Sequence, residues 1–196
     1  MYQHRRRTLL WWTLGAAIAL TVPPLTAQES LPYNKLGRAA VEYRDKAIHV
    51  VAAYYYSQRN HDYRWLYIQS GVTTRDDNVI HRDAIVLRTP QGREIPLATQ
   101  RRVGEDINRV ENLLQNASVV SHDVRSYFTQ QRWSEEMQLF RLPFGNVVSN
   151  SFIADRDRVA LGPLFFESPT GAWEDGRYTL VVRHEKGAAE LPITLE

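Results

Sequence analysis

Cysteine is absent from this chain, so it holds no disulfide, no thiolate nucleophile and no acyl-cysteine anchor of the bacterial lipoprotein kind. Long apolar runs are missing as well. The longest, from Leu9 to Val22, has 14 residues, whereas a membrane-spanning helix needs about 20. No Gly-x-Ser-x-Gly elbow, Gly-x-Gly-x-x-Gly turn or Gly-Lys-Ser/Thr loop occurs, which removes the usual hydrolase nucleophile and phosphate cradles. A cationic surplus is also lacking once the first 27 residues are set aside. They hold three Arg and no acid, leaving 21 basic against 22 acidic side chains. A nucleic-acid partner needs cations to displace counterions, so none is expected.

What is present begins with His4-Arg5-Arg6-Arg7, the apolar run, and Pro23-Pro24-Leu25-Thr26-Ala27. A cationic start, a short greasy middle and a small residue at the end make a signal peptide, with cleavage expected after Ala27. Arg6-Arg7 partly matches a twin-arginine signal, but Trp11 stands where that pattern prefers Lys, and the general secretory route suits the apolar run better. The mature protein is expected in the periplasm or outside the cell, with no membrane span. Residues 28–45 read as a loose leader and 46–196 as a single domain.

Within that domain residues 47–56 are dense in β-branched and aromatic side chains, a strand composition. Residues 63–68 resume the pattern, and the two runs predict a hairpin. Residues 83–88 and 93–97 predict strands around a Pro90–Gly92 turn, with Pro96 confining the second to a sheet edge. Val103, Ile107, Val110, Leu113 and Leu114 recur on one helical face. Ser121 is placed to cap a short turn through Phe128. Residues 137–142, 146–154 and 158–167 read as strands with turns at 143–146 and 155–157, and residues 177–183 and 188–195 as a hairpin.

Trp173-Glu174-Asp175-Gly176-Arg177-Tyr178 resembles the tyrosine corner of immunoglobulin-like sandwiches, in which the Tyr hydroxyl bonds back to a nearby backbone group. Leu180 then stands where an antibody domain carries its second Cys. The chain is similar to secreted bacterial immunoglobulin-like proteins of unassigned role. That resemblance implies a mainly β, immunoglobulin-like antiparallel β-sandwich with Trp173, Asp175, Gly176 and Tyr178 as its structural corner; the amphipathic helix, within an insertion at about 100–128, is a departure from it, since a plain immunoglobulin-like domain lacks one.

Three candidates for chemistry remain. Tyr63, Trp65 and Tyr67 share a strand face and form either a ring platform for sugar or a partner chain, or core packing, the favoured alternative because Leu66 and Ile68 look equally buried. His61, His81, Asp83 and His122 would make a metal-dependent hydrolase only if the fold gathered them. His184-Glu185-Lys186-Gly187-Ala188 starts like a zinc-protease helix but ends in Ala where the second ligand belongs. Glu135-Glu136 and Asp76-Asp77 read as solvated pairs, because sequence neighbours point apart. The expectation is therefore a non-catalytic binding or scaffolding protein with a protein partner in the cell envelope and no cofactor or metal.

Overall fold

The computed structural model describes residues 32–59, 62–120, 123–141 and 148–196. The segment 1–27 read as a signal, His61, Ser121, His122 and the turn expected at 143–146 lie outside the described residues. Leu31–Glu196 form one unit.

Extended structure starts earlier than the composition suggests. The segment taken as a leader contributes β1 (Tyr33–Lys35) and β2 (Ala40–Arg44), because Val41 and Tyr43 alternate inward. Next come β3 (Ile48–Ala53), α1 (Tyr55–Arg59) and β4 (Trp65–Thr74). The tyrosine run expected to prolong the strand instead turns into α1, so residues 54–56 leave the ladder. β3 and β4 do pair antiparallel, with Ala53 opposite Gln69. After β5 (Asn78–His81) a single 3₁₀ turn leads into β6 (Ile85–Arg88) and β7 (Glu94–Pro96), joined through Gly92, whose φ of 85° suits glycine. β7 ends its sheet, as Pro96 requires.

The expected helix is broken in two. α2 (Gln100–Glu105) is capped by Thr99, whose side chain accepts from Arg102 N, and α3 (Ile107–Val120) follows. Asp106 at the break accepts from Trp65 Nε1 at 2.8 Å and Arg64 Nη1 at 3.2 Å, which ties the helix junction to the start of β4. The other strands are β8 (Trp133–Glu136), β9 (Ser151–Ala154), β10 (Arg158–Glu167), β11 (Gly176–His184) and β12 (Gly187–Leu195). β8 lies just ahead of the strand expected at 137–142.

The chain is mainly β. One sheet runs β1-β2-β3-β4-β10-β8, a second β12-β11-β6-β7, and β5 pairs with β9. Among the described residues all pairings are antiparallel except β8 with β10. Val41, Val50 and Ile68 of the large sheet share one core with Leu87, Leu180 and Leu191 of the second sheet and with Val103, Val110 and Leu113 of the helices. Ala40, Val51 and Val159 point the other way, onto Val124 and Phe128. Both faces of the central strands of the large sheet are thus covered. No helix among the described residues is long and apolar enough to cross a membrane.

Candidate functional site

The three-ring face does not form an open platform. Tyr63 is 74 % exposed, but Trp65 is fully buried and Tyr67 is 8 % exposed. One Asp62 carboxylate oxygen accepts from Arg64 N at 2.7 Å and Trp65 N at 3.1 Å, so Tyr63 projects from this turn while Trp65 and Tyr67 enter the sheet. The Trp65 ring is held by Asp106, and Tyr67 packs on Phe165 with ring centroids 5.6 Å apart. At the corner before β11, Tyr178 donates its hydroxyl hydrogen to Glu174 O at 3.0 Å, and Trp173 packs edge-on against Tyr178 at 5.6 Å. Asp175 and Gly176 lead that segment into β11. No group of three metal-ligating side chains forms among the described residues, and His81 and Asp83 lie there without such company.

A different place gathers charge. The β2–β3 turn starts at Asp45, which accepts from Ala47 N at 2.7 Å and Ile48 N at 2.8 Å on one carboxylate oxygen. The turn before β10 repeats the device: Asp155 accepts from Asp157 N at 2.9 Å and Arg158 N at 2.7 Å. In each case the residue just after the Asp, Lys46 or Arg156, is thrust outward. Arg44 flanks one turn, and Arg75 leaves the end of β4, its N–H bonded to Ala47 O at 2.9 Å. These four cations line a cavity of about 260 Å³. None forms an ion pair among the described residues, whereas Arg88, Arg102, Arg109 and Arg158 all do. The one carboxylate in the lining, Asp45, is occupied by its turn and by Tyr43 Oη at 3.2 Å.

The base of the cavity is polar and buried. His49, 5 % exposed, accepts on Nδ1 from Arg44 Nη2 at 3.3 Å, and its ring lies 4.5 Å from that of Phe128. Its Nε2 stands 2.8 Å from Glu42 Oε1, off the direction of a well-formed hydrogen bond. Burial, and then the Arg44 charge, push the imidazole down to about 4, with Glu42 opposing, so it is neutral at pH 7. Gln131, 9 % exposed, donates Nε2 to Arg156 O at 3.3 Å while Oε1 has no partner. Arg125 holds this segment by donating to Phe128 O and to Gln131 O.

A second cavity, of about 450 Å³, shares Arg75 and Arg156 with the first and brings in Trp133, Asp77, Asp157 and the Asp155–Arg158 ion pair. Trp133, on β8 and 68 % exposed, is anchored by its backbone N–H to Asp157 O at 3.1 Å. The two cavities make a groove with a cationic end and an end bearing carboxylates and one open indole.

Compared with family models, with curated proteins and with solved structures, the chain matches none. Sequence reasoning did not find the groove, because its residues come from four separate turns and strand ends. The signal that was there is the repeated Asp-Lys and Asp-Arg opening of the turns at 45 and 155, which predicts an outward cation at each.

Proposed function

We propose that this protein is an exported, non-catalytic binding protein of the bacterial cell envelope, and that its ligand is an anionic envelope component held in the Arg44–Lys46–Arg75–Arg156 groove. The observation that carries the reading is the set of four cations converging on one cavity, none of them in a salt bridge among the described residues; Asp76, whose carboxylate feels Arg75 and Arg156, is itself paired with Lys186. Leaving them unpaired raises the local positive potential, which attracts and holds an anion. Arginine forks suit carboxylate and phosphate oxygens in particular. Export rests on the signal-like first 27 residues, and in this reading the two sheets form an immunoglobulin-like sandwich with the α2–α3 segment inserted.

The test is calorimetric titration of the purified protein with short anionic polymers at low and at physiological salt. Binding that weakens with salt and is lost in the double variant Arg75→Ala/Arg156→Ala, with the denaturation midpoint retained, is expected. Unchanged affinity in that variant, or no anion bound at all, would sink the reading. N-terminal analysis of the mature protein should start at Gln28.

A further inference from the structure

Charge alone does not describe the groove. Resting on the reading above, we infer that the ligand is an acidic polysaccharide in which a charged sugar is followed by a neutral one. Three observations lead there.

The first is Gln131 Oε1, a buried acceptor without a donor at the base of the cationic cavity. A carboxylate or phosphodiester has only acceptor oxygens at neutral pH and cannot satisfy it, whereas a sugar hydroxyl beside the charged group can. The second is the Trp133 ring. An exposed indole at the mouth of a cavity is a surface on which a flat sugar face stacks. The third is the division of charge along the groove. Asp77, Asp155, Asp157 and Arg158 line the Trp133 end; Arg158 is paired with Glu135 and Asp155, which leaves the carboxylates of Asp77 and Asp157 without an ion pair among the described residues. They accept hydrogen bonds from hydroxyls and repel a second anion placed against them. Cavities of about 260 and 450 Å³ fall near the small end of the usual ligand range, about 300 to 1,000 Å³, so each takes about one ring. An acidic peptide can offer backbone N–H donors to Gln131, but a run of acidic residues has no flat ring for Trp133, and it would set its next carboxylate against Asp77 and Asp157.

Four probes of similar length decide the question: a hyaluronan tetrasaccharide, tetragalacturonate, neutral chitotetraose and an oligoglutamate. Hyaluronan should bind tightest. Trp133→Ala should weaken it about tenfold, a loss typical of a stacked ring. The exposed position of Trp133 leaves folding intact. Asp77→Asn/Asp157→Asn should narrow the gap between hyaluronan and tetragalacturonate by removing repulsion from the second charge. Oligoglutamate binding as tightly as hyaluronan, with Trp133→Ala silent, would overturn the saccharide inference and leave the anion reading standing. Tetragalacturonate ahead of hyaluronan would overturn the alternating pattern. Chitotetraose binding equally well, indifferent to Arg75→Ala/Arg156→Ala, would overturn both readings.

Discussion

Single side chains replace missing strand in this fold, and Ser57 is the clearest case. The β3 ladder stops at Ala53 opposite Gln69, which leaves Tyr67 without a backbone partner on that side. Ser57, fully buried on α1, fills the gap: its hydroxyl accepts from Tyr67 N at 3.0 Å and donates to Tyr67 O at 2.8 Å. Ser57→Ala leaves both groups buried and unsatisfied, so it should cost about 1 to 3 kcal/mol in urea unfolding. A change within error would show that water takes over the bonding. None of this was legible beforehand. Tyr54-Tyr55-Tyr56 has the composition of a strand, and a five-residue helix is too short for periodicity to betray it. The ring face met the same limit. Trp65, Leu66, Tyr67 and Ile68 are all buried, because this stretch is covered on both faces, so no alternation could reveal which side faced water.

Elements that meet across the sheet are locked by one bare backbone position. A Cβ built on Gly71 would lie 2.5 Å from Phe128 Cε2, so the ring of the 128–131 segment rests directly on β4. Gly71→Ala should therefore destabilise the protein by about 1 to 3 kcal/mol, the usual range for overpacking. It should also weaken anion binding, since the same segment carries Gln131. In a double-mutant cycle the loss should shrink by at least about 0.5 kcal/mol when Phe128→Ala is already present. Strict additivity would mean that the clash relaxes elsewhere. Elements with clean alternation and a defined turn were readable from sequence, as with the β11–β12 hairpin and the edge strand of Pro96. Those made by tertiary pairing were not. β5 and β8 are four residues each, β8 is exposed throughout and pairs in parallel, and Gly71 with Ser70 interrupts the β4 pattern where its packing is tightest. The helix face was legible, but its break at Asp106 depends on Trp65, some 40 residues away.

At the scale of the whole molecule, buried titratable groups set the pH range over which this cysteine-free fold is most stable. His49 is pushed from its ordinary 6.5 to about 4 by burial and then by Arg44, and His184 is lowered chiefly by burial. The unfolded chain therefore binds these protons first as pH falls. Stability rises with pH wherever the unfolded state holds more protons, so it should drop from pH 6.5 down to about 4 for His49. Carboxyls add their own loss lower still. Glu167 is held below its ordinary 4.5 by Arg102, and Asp45 lies below 3.8 because backbone N–H groups and Tyr43 outweigh its burial. On the alkaline side burial raises Tyr67 from 10.0 to about 12 and raises Tyr54 as well. There the unfolded chain gives up its protons first, and stability should fall above pH 10. The expected profile is a plateau between pH 6.5 and 10 with a shoulder on each flank. Urea midpoints measured from pH 4.5 to 11 test it, and His49→Gln, which keeps an acceptor for Arg44, should remove on the order of 1 kcal/mol of the fall between pH 7 and 4.5 after allowance for solvent screening. A wild-type midpoint that stays level across that interval would mean that His49 takes up its proton in the folded protein, which the contacts of Arg44 and Phe128 with its ring oppose.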